Sequence, residues 1–409
     1  MLRDLFAPAG LVPLLLSSPA AATLLYASSY SGAITTLNLT LSGTNATQST
    51  LQSLSSSNGC APSPSWLQLD KANARLFCTD EGLTTNVGTV SSFKTGADGT
   101  LEQLAKTETI SGPVSAVVFG EKSQGLAIAH YDEHALTFAS GGSSVSWFDI
   151  SNPAALTAVK SETFNMSAPG PNPSRQDAPH PHEVFLDPKG QFVLVPDLGA
   201  DLVRVFAVDG ANNLAAVDSL VAAPGSGPRH VEFLVTPEGK TYLYLISELA
   251  NTVTAYDVTY RENKTLGFTE VFSGSTYGAG ASAPAGASAA EIWISSDGKF
   301  LTVSSRNDSA FSISNPDTPG EGAQIPSDSL NTFTIDAKTG GLTLLQKFPA
   351  GGRIPRQFSV SKAGNLVAVG LQSDSRVVVI SRDAVSGKLG EILTSAKVDG
   401  EVTAVIFDE

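Results

Sequence analysis

The sequence predicts an all-β protein: a seven-bladed β-propeller with four-stranded blades, closed into a ring by strands from both termini. The first observation behind this prediction is a repeated plan, in which a polar entry, an apolar run, a turn with glycine and a second apolar run follow one another. The second is the strand-like composition of these runs, and the third is a strand-like segment at each end of the chain. A repeated unit of three or four strands is the sequence signature of a propeller.

The repeat is clearest in the segment HPHEVFLDPKGQFVLVPDLGADLVRVFAV, which starts at His180. Further copies start at Gly227, Ser288 and Ile354, and two weaker copies start at Ser63 and Gly112. The copies follow one another at intervals of roughly 45–65 residues, as propeller blades do. A two-layer sandwich would also contain many short strands, but the regular period favours the propeller.

The apolar runs are strand-like for local reasons. They are rich in Val, Ile, Leu, Phe and Tyr, and a Gly or Pro stops each of them after about five to seven residues. The turns DPKG, SSDGK and SKAG place glycine where a hairpin needs a positive φ. Each copy is therefore predicted to begin with a hairpin.

Two strand-like segments, one at each end of the chain, lie outside the six repeats, and they predict how the ring closes. One is TLLYASSYSGAITTLNLTL from Thr23, and the other is EVTAVIFDE from Glu401. Neither segment makes a blade alone, and an open propeller would leave unpaired sheet edges. We therefore predict that residues 23–41 and 401–407 build one shared seventh blade, and that residues 23–409 form a single domain.

Residues 1–22 are predicted to be a secretory signal peptide. One arginine precedes an apolar stretch that is too short to span a bilayer, and small residues with the pattern Ala20-x-Ala22 follow it. Cleavage is expected near Ala22. Asp4, Pro8 and Pro13 are unusual in a signal peptide. The alternative is therefore a buried N-terminal strand preceded by an irregular leader.

Two further features favour export to the medium or the cell wall. The glycosylation pattern Asn-x-Ser/Thr occurs at Asn38, Asn45, Asn165, Asn263 and Asn307. The only two cysteines, Cys60 and Cys78, lie close enough in the first full repeat to form a disulfide in an oxidising compartment. Two unpaired core thiols are the alternative that a cytosolic location would favour.

The charge of the chain limits its partners. The formal net charge is −14 and no basic tract occurs, so nucleic acid is not an expected partner. No apolar run after the leader is long enough for a membrane span. We expect a monomer whose partner is a small anionic substrate.

Hairpin topology places the start of the first strand and the end of the second strand of every blade at one mouth of the central channel. The residues found at or beside these positions are Trp66, His130, His180, His182, Asp197, Arg229, His230, Glu248, Arg306, Arg356 and Gln372. Arginine binds carboxylate and phosphate in a bidentate manner, so the mouth is predicted to be an anion site. The alternative is that these charges only pair with one another, and for Asp197 pairing with Arg204 or a neighbouring loop is the better interpretation.

Other site chemistries find less support. His180 and His182 have a spacing that can bind zinc, but Pro181 marks an entry loop and no cysteine is free to help. We therefore expect no metal and no cofactor. A Ser-His-Asp hydrolase is not favoured, because no G-x-S-x-G motif lies between a strand and a helix.

The motifs HPHEVFLDPKGQFVLVPDLGAD, GPRHVEF, SELANTVTAY, SSDGKFLTVSSRN and PRQFSVSKAGN resemble those of the lactonase family of seven-bladed propellers. This family contains fungal 3-carboxy-cis,cis-muconate lactonizing enzyme and bacterial 6-phosphogluconolactonase. The resemblance implies that the catalytic residues are His182, Arg229, Glu248 and Arg306. The residues expected to contact the substrate are His130, His180, His230, Arg356 and Gln372. The family requires no metal.

The resemblance implies lactone formation or lactone opening on an anionic substrate. Arg229 and Arg306 would bind carboxylates and stabilise the charge that develops on the intermediate. Glu248 or His182 would transfer the proton, and a phosphorylated sugar lactone opened by water would suit the same arginines. Because muconate and phosphogluconate chemistry belong to the cell interior, a secreted cell-wall glycoprotein that uses the propeller as a binding or adhesive surface is the alternative.

Overall fold

The structure, a computed structural model, describes residues 23–41, 49–131, 142–210, 212–318, 320 and 322–409. The predicted signal peptide and Asn45 lie outside the described residues. Within them the chain forms seven four-stranded antiparallel sheets that follow one another around a ring. The prediction of an all-β, seven-bladed propeller is thus confirmed.

The blades use the strands in chain order, except that the last strand joins the first blade. Blade 1 contains β1 (Thr23–Ser29), β2 (Ile34–Thr40), β3 (Thr50–Ser57) and β30 (Val402–Phe407). Blade 2 contains β4 (Pro64–Asp70), β5 (Arg75–Asp80), β6 (Gly88–Thr95) and β7 (Leu101–Thr109). Blade 3 contains β8 (Pro113–Phe119), β9 (Gly125–His130), β10 (Ser144–Asp149) and β11 (Thr157–Thr163).

The remaining blades continue the same pattern. Blade 4 contains β12 (Phe185–Leu186), β13 (Phe192–Asp197), β14 (Leu202–Val208) and β15 (Leu214–Val221). Blade 5 contains β16 (Pro228–Val235), β17 (Thr241–Ser247), β18 (Thr252–Tyr260) and β19 (Leu266–Ser275). Blade 6 contains β20 (Ser288–Ile294), β21 (Phe300–Arg306), β24 (Ser329–Ile335) and β25 (Leu342–Pro349). Blade 7 contains β26 (Pro355–Val360), β27 (Leu366–Leu371), β28 (Arg376–Arg382) and β29 (Leu389–Lys397).

Few elements lie outside this pattern. A two-stranded hairpin, β22 (Phe311–Ser314) and β23 (Gln324–Ser327), is inserted in blade 6 and was not predicted. Two 3-10 turns cover Lys71–Asn73 and Gln372–Asp374. No helix in the described part of the chain has the length and apolar character needed to cross a membrane.

The ring is closed by β1 and β30, as predicted. The two strands pair antiparallel, with Leu25 opposite Phe407 and Ala27 opposite Val405. In the order β3-β2-β1-β30, the C-terminal strand takes the end position that the first strand holds in the other blades. The innermost position of blade 1 is therefore filled by the last strand of the chain.

The apolar core lies between the blades. Seven clusters of buried side chains among the described residues each join two neighbouring blades. In the cluster between blades 4 and 5, for example, Leu194 and Val205 pack with Leu243 and Tyr256. Because both faces of each blade pack against a neighbouring blade, strands such as β17 consist almost entirely of buried, mainly apolar residues.

The hairpin turns lie at the opposite end of the blades from the predicted site. In the turn DPKG, the carboxylate of Asp187 accepts hydrogen bonds from the backbone N–H groups of Gln191 (2.5 Å) and Phe192 (2.6 Å). Gly190 has a φ of 66° there, which a residue with a side chain rarely adopts. This turn chemistry fixes where the two strands begin and end.

The predicted disulfide is present between Cys60 and Cys78. Cys60 precedes β4 and Cys78 lies in β5, so the bridge ties the entry of blade 2 to its second strand. Both residues are buried in the cluster between blades 1 and 2, together with Tyr26 and Phe93.

Deletion of residues 401–409 should open the ring. It would remove β30, leave the edge of β1 unpaired, and take Val402, Val405 and Phe407 out of the core. Loss of several buried side chains should lower the melting temperature by roughly 10 °C or more and promote aggregation. Thermal unfolding of the truncated and full-length proteins measures this effect.

The control is a deletion of Glu409 alone, which removes an exposed contact to the backbone N–H of Lys362 but no ladder residue. It should shift the melting temperature by only a few degrees. Equal melting temperatures for the full-length protein and the longer deletion would show that the ring does not depend on β30.

Candidate functional site

Two of the predicted mouth residues, Arg229 and Arg306, come together around a third, the buried carboxylate of Glu248. Glu248 follows the end of β17, while Arg229 lies near the start of β16 and Arg306 ends β21. The nearest guanidinium atoms to the two carboxylate oxygens are Nε of Arg229 (3.0 Å), Nη2 of Arg306 (2.6 Å) and Nη2 of Arg175 (2.7 Å). Hairpin geometry thus brings residues of blades 5 and 6 to the same point.

This arrangement fixes the charge of Glu248. Only 2 % of the Glu248 side chain is exposed. Burial alone would raise its pKa, but the three guanidinium groups outweigh burial and bring the pKa down to about 2. Glu248 is therefore ionised at neutral pH, and both of its oxygens are occupied.

The arginines also hold backbone carbonyl groups. Nη1 of Arg229 donates to the carbonyl of Ala290 at 2.7 Å, and Nη2 of Arg306 donates to the carbonyl of Ala289 at 3.2 Å. Burial, reinforced by the charge of Arg306, lowers the pKa of Arg229 to about 9, so this group stays protonated at neutral pH. The Nε atom of Arg306 is buried and has no hydrogen-bond partner among the described residues.

His182 lies beside this cluster in a narrow cavity that is also lined by Trp66, Arg229, His230 and Arg356. Its Nδ1 atom is 3.2 Å from Nε2 of His230. Burial lowers the pKa of His182 well below its ordinary value, and the charge of Arg229 lowers it further. His182 is consequently neutral at neutral pH.

The mouth carries an excess of positive charge. Arg175, Arg229 and Arg306 share the single carboxylate of Glu248, and the carboxyl group of Glu291 lies on the far side of His230. The arrangement can therefore bind an anion and stabilise negative charge that develops next to His182. Among the described residues, no group of three or more His, Cys, Asp or Glu side chains is arranged to hold a metal ion.

Some of the predicted substrate contacts have structural partners instead. His130 is fully buried inside blade 3, where its ring nitrogens contact the carbonyl of Ile110 (3.0 Å) and the hydroxyl of Ser146 (2.8 Å). Burial lowers the pKa of His130 to about 4. Gln372 donates to the carboxylate of Glu401 at 2.9 Å, which links blade 7 to the strand that closes the ring.

His180 borders the site through an aromatic stack. Its ring lies 4.5 Å from the ring of Tyr131, which in turn meets His182 edge-on at 5.5 Å. Nε2 of His180 is 3.0 Å from the carboxylate of Asp177. Asp197 accepts from the backbone N–H of His180 (2.7 Å) and from Nε of Arg204 (2.8 Å), so it holds blade 4 together, as the favoured interpretation of Asp197 predicted.

Arg175 is a site residue that the sequence analysis missed. It lies in the long connection between β11 and β12, where no strand periodicity predicts a position. The neighbouring Gln176 is fully buried and anchors this connection, because its Nε2 donates to the carbonyl of Leu198 at 2.9 Å. Arg175 is the most exposed of the three arginines bound to Glu248, with 41 % of its side chain accessible.

The geometry agrees with comparisons to known proteins. The sequence profile described as "Lactonase, 7-bladed beta-propeller" matches residues 23–407. The chain belongs to this family. The predicted family resemblance, which rested on motifs such as HPHE and GPRH, is thereby confirmed.

Individual members of the lactonase family are similar over most of their length. A probable 6-phosphogluconolactonase from Arthroderma benhamiae is 32% identical over 333 residues, which cover 81% of this chain and 77% of the relative. A 6-phosphogluconolactonase from Formosa agariphila is 27% identical over 348 residues, covering 84% of this chain and 88% of the relative. The structure of a periplasmic gluconolactonase from Pseudomonas aeruginosa matches with 25% identity and a TM-score of 0.73, covering 95% of this chain and 99% of that protein.

The ion pairs of Glu248 should make its replacement by glutamine destabilising. The Glu248→Gln substitution leaves three guanidinium groups without their shared carboxylate, so the free energy of unfolding should fall by about 3–5 kcal/mol at neutral pH. Urea denaturation measures this change. The matched control Glu238→Gln, in the exposed turn at the other end of blade 5, should change stability by no more than about 0.5 kcal/mol.

The difference between wild type and Glu248→Gln should also depend on pH. The folded-state pKa of about 2 lies below the ordinary value of 4.5, so folding favours the ionised carboxylate. This contribution is fully present above the ordinary pKa and is lost as the pH falls through the folded-state pKa. The two unfolding free energies should therefore converge in acid, and a constant gap would contradict the assigned ionisation.

Proposed function

We propose that this protein is a lactonase that hydrolyses an anionic or polyhydroxylated sugar lactone of the gluconolactone type. The observation that carries the proposal is a neutral imidazole, His182, beside an excess of guanidinium groups in a narrow cavity. The relatives named above support the same reaction class, because they carry the names of gluconolactonases and 6-phosphogluconolactonases. A phosphate or carboxylate on the substrate would suit the surplus positive charge.

The proposed reaction uses water as the nucleophile. His182 accepts a proton from water while the water oxygen bonds to the lactone carbonyl carbon, and a tetrahedral oxyanion forms. The bond from that carbon to the ring oxygen then breaks, and the ring oxygen takes the proton from His182. The product is the open-chain hydroxy acid, which loses its own carboxyl proton to the solvent.

Arg306 is the residue proposed to stabilise the oxyanion. Its Nε–H donor is buried and has no partner among the described residues, so a substrate oxygen placed against it would not have to displace another acceptor of those residues. A donor that is already oriented in a site from which water is excluded stabilises developing charge more than one in bulk water. Arg175, which is the more exposed group, is suited to the charged or polar substituent of the substrate.

Glu248 is proposed to organise the site rather than to carry the proton. Three guanidinium groups already occupy its two oxygens, and they hold it in the ionised form with a pKa of about 2. Of the two proton carriers that the family resemblance allowed, His182 is therefore the better supported. Lactone formation on a muconate-type substrate would use the same groups in a related way, and it stays an alternative to be tested on the same panel.

Replacement of His182 by glutamine tests the proposal. Loss of the general base should reduce kcat on a responsive lactone by about 100-fold to 10,000-fold. The substrates to be tested are glucono-δ-lactone, 6-phosphogluconolactone and carboxymuconolactone. Ring opening is measured by the release of acid. Glu238→Gln, at the far end of blade 5, should retain full activity. A wild-type protein that opens none of these lactones would refute the proposal.

An adhesive glycoprotein would behave differently in the same experiment. Its surface binding would not depend on the side chain of His182, since only turnover requires a proton carrier. Binding to a cell-wall preparation that survives His182→Gln, together with no turnover by the wild type, would favour that alternative.

We also propose that the protein is secreted. The disulfide between Cys60 and Cys78 supports an oxidising compartment. The glycosylation motifs at Asn165, Asn263 and Asn307 lie at exposed positions. Asn38 is less suited to carry a glycan, because it is half-buried in β2, and β2 pairs with a strand on each side.

Intact-mass measurement tests secretion directly. Because a signal peptide of about 22 residues is removed, the mature protein should begin near Thr23. It should carry N-glycans at the three exposed asparagines and contain no free thiol. Substitution of Asn165, Asn263 and Asn307 by Gln should abolish most of the glycan mass. A full-length, unglycosylated protein would place the chain inside the cell.

A further inference from the structure

A chain of three buried polar side chains lies behind the site. Nδ1 of His182 is 3.2 Å from Nε2 of His230, and Nδ1 of His230 is 2.8 Å from Oε1 of Glu291. The relative exposures of His182, His230 and Glu291 are 7%, 1% and 6%. His182 precedes β12, whereas His230 lies in β16 and Glu291 in β20, so three consecutive blades contribute one residue each.

The neighbours of His230 determine which of its ring nitrogens carries the proton. Glu291 accepts at Nδ1, and the guanidinium Nη1 of Arg229, which can only donate, lies 3.3 Å from Nε2. Both contacts require the same tautomer, with the proton on Nδ1 and the lone pair on Nε2. His230 Nε2 is therefore an acceptor.

The tautomer of His182 follows from that of His230. Since Nε2 of His230 accepts, a hydrogen bond across the 3.2 Å contact has Nδ1 of His182 as the donor, and it shares the single lone pair of Nε2 with Nη1 of Arg229. The neutral ring then carries its only proton on Nδ1, and its Nε2 keeps a lone pair. This is the nitrogen that could accept a proton from water.

The carboxyl group that hydrogen-bonds Nδ1 of His230 is that of Glu291, at 2.8 Å. A second carboxyl group, that of Glu183, lies 3.8 Å from the same Nδ1 atom. Burial raises the pKa of Glu183 well above its ordinary value, and the charge of Glu291 raises it further. Glu291 additionally accepts from the backbone N–H of Ile292 at 3.0 Å.

We infer that Glu291, acting through His230, is a positioning residue that fixes the tautomer of His182 and keeps its Nε2 free to accept a proton. The inference deepens the proposed lactonase activity and rests on it for its catalytic meaning. When His182 takes up the proton of the attacking water, the carboxylate of Glu291 stabilises the positive charge on the two imidazoles. When the ring oxygen leaves, that proton leaves with it and the original tautomer returns.

The pH dependence of kcat should report this arrangement. The charged and titratable groups around the two imidazoles are Arg229, Arg306, Arg356, Glu183, Glu232 and Glu291. The arginines disfavour an imidazolium, and Glu291 favours it. Removal of the Glu291 charge should thus lower the apparent pKa of His182 and move the acidic limb of the kcat profile to lower pH.

The first experiment needs no substrate. In protein labelled with ¹⁵N-histidine, the ring nitrogens of His182 should show a protonated Nδ1 and an unprotonated Nε2, with His182→Gln used to assign the signals. In Glu291→Leu, which cannot accept from His230, only the 3.3 Å contact from Arg229 still favours this tautomer, so the other tautomer of His182 should become detectable. Circular dichroism and the melting temperature establish that the variant is folded.

The second experiment is kinetic and uses the lactone that the wild type opens best. Glu291→Gln retains an acceptor oxygen but removes the charge, so kcat should fall by about 10-fold to 100-fold while KM changes little. The acidic limb should shift to lower pH. The matched variant Glu183→Gln changes a carboxyl group that lies 3.8 Å rather than 2.8 Å from Nδ1 of His230, and it should shift the limb less.

The outcomes separate this inference from the proposed function. A wild-type His182 protonated on Nε2, or a tautomer that is unchanged in folded Glu291→Leu, would overturn the inference even if lactones are hydrolysed. An acidic limb that moves equally in Glu291→Gln and Glu183→Gln would also overturn it. If no lactone is opened, the proposed function fails, and the ¹⁵N measurement still decides whether Glu291 sets the tautomer.

Discussion

Every blade of this protein depends on burial of its apolar faces against its two neighbours. A single four-stranded sheet cannot bury both faces by itself, and the hydrophobic clusters accordingly lie between blades rather than within them. The pairing of β1 with β30 completes this set of contacts, because without it two blades would each expose a face. The geometry of the mouth follows, since each inner strand is held at a fixed angle to the next.

The packed blades hold the charged side chains of the mouth in fixed positions. Removing a carboxylate and several guanidinium groups from water costs free energy, and their mutual attraction only partly offsets that cost. The benefit of Glu248 is therefore better described as specificity of position than as net stability. It keeps Arg229 and Arg306 at one place beside His182, so that little reorganisation is needed when charge develops on a substrate.

Much of this arrangement could be predicted because hairpin topology is encoded locally. Glycine turns and apolar runs locate the strand ends, and these positions are sufficient to predict that Arg229, Glu248 and Arg306 lie together. Arg175 could not be predicted, because a connection without periodicity gives no position in space. His130 sits at a strand end as expected, but only the packing inside blade 3 shows that both of its ring nitrogens are already used.

The position of β30 also affects the order in which the protein can be assembled. In the chain, β30 follows every other strand that the structure describes, yet it occupies the innermost place in its blade. Until β30 has been synthesised, the edge of β1 lacks its partner strand and the seven blades cannot close into a ring. An unpaired sheet edge can pair with other chains, so a newly made chain is most prone to aggregate during this interval.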